Sequence, residues 1–323
     1  MRKYVAVLLV VLAFASCDKK SKVEKAIEEA PPVSLKVDRF DKAFFESTPQ
    51  DLPKLKAEYP FFFPQDGTPD AVWIEKMQNK DWRDLYNAVE KKYPDFNKQT
   101  DEIENLFKHF KYFYPQTVMP KIYTVIGNMD YNTKAIYAND KLIIALELYI
   151  GKDSKFYTFP AYLKQNFEER QMMPDIVTSF SLTKIPPGNE HTLLEQMIYY
   201  GKQLYLKDQM LPDYTNAEKI GYTPEQIKWC EENESYIWRY FIEKELLYST
   251  DSKLPSRFTN LAPFSKFYLE IDNESPGRVG QWIGWQIVRS FMENNDVSMQ
   301  DMLKMNAKEL FEKSKYKPKK ADE

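Results

Sequence analysis

Cysteine, histidine and glycine are scarce in this 323-residue chain, which has 2 Cys, 2 His and 9 Gly. Cys17 closes an N-terminal apolar run, so only Cys230 is left to the folded part, and one thiol forms no internal disulfide. The fold must rest on packing. Nine glycines are too few for a turn-rich all-β architecture. The two histidines, His109 and His191, have no spacing that would bring two imidazoles to one metal. A net charge of −3 argues against nucleic-acid binding, which needs a concentrated basic face. There is neither a Gly-x-Ser-x-Gly elbow nor a Gly-x-x-x-x-Gly-Lys phosphate loop, so serine hydrolases and P-loop nucleotide hydrolases have no local support.

The chain does have a short apolar start. Arg2 and Lys3 precede the apolar stretch Tyr4–Ala15, and Ala15-Ser16 leads into Cys17, followed at once by Asp18-Lys19-Lys20. The stretch falls short of the ~20 residues that cross a bilayer, so residues 1–17 read as a cleavable signal. Its ending resembles a bacterial lipobox, with Phe14 in place of an aliphatic residue, and makes Cys17 the expected lipidated residue. Residues 18–32, charged and closed by Pro31-Pro32, read as a flexible tether.

Ordered structure is expected from Val33. A first strand fits Val33–Val37, and a helical N-terminal region extends to residue 118, with helix starts at Thr48-Pro-Gln-Asp51, Thr68-Pro-Asp70 and Lys98-Gln-Thr-Asp101. The core, 119–313, opens with β-branched and aromatic runs at Lys121–Ile126, Ala135–Tyr137 and Lys141–Leu146, the last two joined by the turn signal Asn139-Asp140. These runs predict a small antiparallel or mixed sheet. Long helices are then expected over Asn189–Asp208, Thr223–Tyr248, Pro276–Asn294 and Ser298–Lys313, with Thr223-Pro-Glu-Gln226 as a capping-box start. The lysine-rich residues 314–323 read as a basic disordered tail. With 22 Tyr and 21 Phe to bury, the fold class is α+β and predominantly α-helical.

In a zinc peptidase, two histidines four apart on one helix face hold the metal, and the glutamate after the first activates water. The corresponding frame here is Glu195-Gln196-Met197-Ile198-Tyr199, in which every functional position differs. Gln196 takes no proton from water at neutral pH, and the Tyr199 phenol, with an ordinary pKa near 10, suits zinc poorly. Taken alone, Glu195–Tyr205 is an amphipathic helix with Leu194, Met197, Ile198, Leu204 and Tyr205 as its apolar contacts. His191, four residues before Glu195, shares its expected face. Cys230, among glutamates, reads as a buried structural thiol. Gly277, Gly280 and Gly284 strip one helix face of bulk, which predicts close packing against Asn189–Asp208 or Thr223–Tyr248, with Trp282 and Trp285 at the flanks and Arg278 paired with a glutamate.

The run Glu195–Asp208, with Tyr149-Ile-Gly151, the block Glu232–Ile242 and above all Ser275–Arg289, resembles the gliding motility lipoprotein GldB family over nearly the whole mature chain. That family is in turn similar to zincin-type peptidases whose third ligand is a glutamate on a later helix. The resemblance implies a single zincin-like domain over 33–313, a degenerate metal site at Glu195, Gln196 and Tyr199, and third-ligand-helix candidates Glu231, Glu232 and Glu234. The implied protein is a lipid-anchored cell-envelope component of the gliding machinery, held to a membrane through Cys17. It binds other envelope proteins without catalysis, and no metal, cofactor or nucleic acid is expected. The alternatives are a hydrolase with atypical ligands, such as His191, Glu195 and a glutamate of 231–234, and a structural scaffold. Inner and outer membrane both stay open.

Overall fold

The computed structural model describes residues 22–270 and 272–319. The signal segment 1–17 and its Cys17 lie outside the described residues. The chain divides into two compact units, Met1–Pro32 and Val33–Glu323. In the first, Lys22–Glu28 forms helix α1. This departs from the uniformly flexible tether expected over 18–32, because Glu24, Lys25, Ala26 and Glu28 are good helix formers whatever their lack of apolar bulk.

The second unit opens with strand β1 (Val37–Asp38), two residues long where five were expected, and helices α2 (Phe40–Phe45), α3 (Leu52–Glu58), α4 (Asp70–Gln78), α5 (Lys80–Lys92) and α6 (Asn97–Phe113). The Thr48 start is a capping box with Asp51, as its spacing predicts. The start assigned to Lys98–Asp101 is misplaced. Asp95 Oδ1 accepts the Asn97 N–H at 3.0 Å, and Thr100 lies inside the helix with its hydroxyl bonded back to the Phe96 carbonyl.

Strands β2 (Lys121–Val125), β3 (Ala135–Ala138) and β4 (Lys141–Ala145) follow. The sheet is mixed, in the order β1-β2-β4-β3. Only β3 and β4 form the antiparallel hairpin that Asn139-Asp140 signals, with Asn139 left-handed at φ 53°. β2 runs parallel to both β1 and β4, which leaves β3 at the edge.

The remaining helices are α7 (Ala161–Lys164), α8 (Met172–Ser181), α9 (Leu193–Met210), α10 (Asn216–Ile220), α11 (Pro224–Glu243), α12 (Val279–Asn294), α13 (Met299–Lys304) and α14 (Ala307–Ser314). The Thr223/Gln226 capping box forms as expected. α11 stops five residues before Tyr248, where Glu245 turns left-handed and the Leu246 N–H bonds back to the Phe241 carbonyl. The helix expected over Ser298–Lys313 is two, because Asn306 accepts the Glu309 N–H and starts the second.

The core centres on α9 and α12. α12 buries Val279, Trp282, Ile283, Trp285, Ile287, Val288 and Phe291, each contributing roughly 1.5–3 kcal/mol by burial. The expected glycine contact is with α9, not α11. A Cβ on Gly284 would stand 1.8 Å from the Met197 carbonyl oxygen, and one on Gly201 would stand 2.3 Å from the Gly284 oxygen. Gly277 meets the Ala262 carbonyl instead, so the stripe serves more than one neighbour. The assignment of 314–323 to a disordered tail is also corrected for the described part. Ser314 is buried, the Tyr316 hydroxyl donates to Glu234 at 2.8 Å, and the Lys319 N–H reaches the same carboxylate. The lysine count hid one aromatic anchor.

Candidate functional site

A cavity of about 780 Å³ opens between β3, α8 and α9. Four α9 side chains line it, Tyr200, Gln203, Leu204 and Lys207, at the spacing that puts residues on one helix face. α8 contributes Asp175, Thr178 and Ser179 to the facing wall, and Leu182, the residue after it, adds a fourth side chain. β3 and the turn before it supply Lys134, Ala135 and Ile136, and the start of α12 supplies Arg278 and Gln281.

The charged lining is three cations, Lys134, Lys207 and Arg278, against one carboxylate, Asp175. Asp175 is engaged by Lys134 Nζ at 2.6 Å and the Tyr149 hydroxyl at 2.9 Å. Lys207 is buried and donates to the Lys219 carbonyl oxygen at 2.9 Å, and burial pushes its ammonium down to about 8. Arg278 N-caps α12 in the left-handed region at φ 67°. Its guanidinium donates to the Ile220 and Gly221 carbonyl oxygens at 2.9 and 3.1 Å and lies over the Tyr222 ring. The expected pairing of Arg278 with a glutamate is therefore wrong; carbonyls of the α10 C-terminus take that place. Neither Lys207 nor Arg278 meets a carboxylate at ion-pair distance among the described residues. Burial raises the Tyr200 phenol, which keeps it a neutral donor.

The cavity wall hangs on a buried acid. Glu147 Oε1 accepts the Gly127 N–H at 2.9 Å and the Met129 N–H at 3.4 Å, which holds the turn leading to Tyr131 at the cavity. The other Glu147 oxygen has no hydrogen-bond partner among the described residues. Burial raises the carboxyl from 4.5 to about 7, against the pull of these N–H groups and of Lys76. Between those two values the folded chain keeps a proton that the unfolded chain has released, so stability falls as pH rises through this window. Carboxylates held low, such as Glu169 and Glu218, act below it. Urea midpoints measured at several pH values from about 4.5 to 7 are expected to drop for the native chain and to flatten for Glu147→Gln.

The metal-ligand and thiol candidates read from the sequence do not line this cavity. Glu195 accepts the backbone N–H groups of Asn189, Glu190 and His191 at 2.8, 2.9 and 2.6 Å, completing the cap that Thr192 makes at the start of α9. His191 is exposed and left-handed at φ 56°. Gln196 meets the Thr259 hydroxyl at 3.3 Å, and Tyr199 packs edge-on to Tyr200. Glu231 and Glu232 are exposed, with Glu232 near Lys228, whereas Glu234 is buried against Tyr316. His109 Nδ1 lies 3.3 Å from the Gln209 carbonyl oxygen. Cys230 is buried as expected, and burial raises its thiol. Among the described residues no three His, Cys, Asp or Glu side chains are grouped as an ion would require.

Two features of the sequence point to the face of α9 that lines the cavity. Lys207 has no acid three or four residues away along the helix, so nothing local neutralises it. Arg278 stands at a helix N-terminus, the end that disfavours a cation.

No curated protein matches the chain, and neither does any solved structure. A family model described as gliding motility protein GldB matches residues 20–318, a span that includes every helix from α1 to α14 and all the cavity residues. On that match, the chain belongs to the gliding motility protein GldB family.

Proposed function

We propose that this protein is a lipid-anchored envelope component of the gliding machinery that holds a segment of a partner protein in the α8/α9 cavity and turns nothing over. The observation that supports this most is the pairing of buried Lys207 with Arg278 on the cavity floor. The one lining carboxylate, Asp175, is held by Lys134 and the Tyr149 hydroxyl, so the two cations disfavour a divalent metal and favour an anionic group. The zincin-like reading of the core has support from one arrangement, an antiparallel edge strand, β3, and a central helix, α9, on two sides of one cavity. Anchoring through Cys17 has support from the signal-like start and from the family's name, which marks a lipoprotein. No helix of the described residues is long and apolar enough to cross a membrane.

The test is complementation of a gliding strain that lacks this chain. Lys207→Met is expected to remain membrane-bound and fail to restore movement, while Cys17→Ala is expected to move to the soluble fraction. Full gliding with Lys207→Met would remove the cavity from the account. Zinc retained at one ion per chain after dialysis, with proteolysis lost on chelation, would overturn the non-catalytic reading.

A further inference from the structure

We infer that the cavity takes the C-terminal end of an extended peptide, its terminal carboxylate held by Lys207 and Arg278 and its last apolar side chain seated on the cavity rim. The inference deepens the reading of the cavity as a partner site and rests on it.

Charge is the first argument. Carbonyl oxygens orient Lys207 and Arg278 but do not neutralise them, and Asp175 is already committed to Lys134 and Tyr149. A carboxylate entering here gains charge-assisted hydrogen bonds in a partly desolvated site, where the planar guanidinium matches its two oxygens.

The sheet edge is the second. The Ala145 N–H donates to the Lys134 carbonyl, so Lys134 faces β4, and by antiparallel alternation Ala135 and Tyr137 turn their N–H and C=O groups to the outer edge. The Ser179 hydroxyl of α8 takes the Tyr137 N–H at 2.7 Å. Ala135, which lines the cavity, is the last rung before α8 covers the edge. A strand added there runs out of edge almost at once, which suits the end of a chain better than a segment passing through.

The rim is the third. Ile136, Leu182 and Leu261 line the cavity with 39%, 60% and 42% of their surfaces exposed, so three apolar side chains ring a polar floor. An inorganic anion would use the floor and leave the rim in water. A peptide terminus uses both.

The experiment retains two pools of acetylated hexapeptides on the immobilised full chain. Both pools are randomised except for a C-terminal leucine, one with free acids and the other with amides. The acids are expected to bind about tenfold or more tightly than the amides, the loss typical of a hydrogen-bonded charged group. Lys207→Met is expected to erase that preference. Leu182→Ser, at an exposed position, removes apolar surface without adding charge, and is expected to weaken acid and amide pools alike while leaving the melting curve in place. Equal retention of acids and amides by the native chain would overturn the inference. So would failure of both pools, even where Lys207→Met still abolishes gliding, in which case the partner-site reading survives and the carboxylate assignment does not. Lys207-dependent binding of phosphatidylcholine vesicles carrying phosphatidylglycerol, without peptide binding, would assign the floor to a lipid phosphate and equally overturn it.

Discussion

Gly284→Ala is expected to leave the domain unfolded or insoluble, although alanine is the better helix former by about 1 kcal/mol. The added Cβ would stand 1.8 Å from the Met197 oxygen, 2.3 Å from its carbonyl carbon and 3.1 Å from its Cα. All three are main-chain atoms of α9, so no side chain can swing aside. Either the two helices separate and the core around Met197, Ile283 and Trp285 loses its packing, or α9 distorts; overpacking of this kind costs about 3 kcal/mol or more. Gly201→Ala meets the Gly284 carbonyl from the other side and is expected to behave alike. Gly67→Ala is the control. Its φ of 84° is unfavourable for alanine, but nothing lies within 4 Å, so only backbone strain of about 1–2 kcal/mol applies. Soluble yield and urea unfolding distinguish these outcomes, and a well-folded Gly284→Ala protein would show that the two helices can part more readily than the geometry allows.

Asp208→Ala is expected to be the most damaging loss of a single charge. Arg289 donates to Asp208 through Nε and Nη2, each at 2.8 Å, and Trp285 Nε1 does so at 2.9 Å. Lys219 Nζ adds a contact at 3.2 Å. The carboxylate is 13% exposed and Lys219 8%, so its removal strands the buried Lys219 and leaves Arg289, 25% exposed, to its Asn216 hydrogen bond. Breaking such a pair from one side costs about 3–5 kcal/mol. Denaturant midpoints should show that loss. Arg289→Met combined with Asp208→Ala should recover part of it, because fewer unpaired charges then remain. A loss within about 0.5 kcal/mol would mean that water reaches the site far more freely than its burial indicates.

Local signals carried the helices well where the cap chemistry is in the chain itself. Thr48/Asp51 and Thr223/Gln226 form the boxes their spacing implies. Where a tertiary contact decides, the local pattern failed. Nothing within five residues of Tyr316 shows that it will dock on Glu234, so a lysine-rich end read as tail. The hairpin was legible from Asn139-Asp140, but the parallel pairing of β2 with β4 depends on a crossover that alternation cannot register. The candidate site suffered most. Glu195 stands where a metal-site frame would place its first ligand, but its spacing to Thr192 equally marks a helix cap. The cavity is made by residues from β3, α8, α9 and α12, and only the fold brings Lys207 and Arg278 to one place.

The main-chain clasp between Gly201 and Gly284 also limits how occupancy of the cavity can be felt elsewhere. Helices that meet through side chains can slide by small steps as those side chains repack, but two backbones in direct contact have no such slack. α9 is therefore a fixed anvil. If the proposed partner enters, the walls free to move are those away from this clasp, among them the turn at 131–134, β3 and α8, and a response would leave the molecule through them.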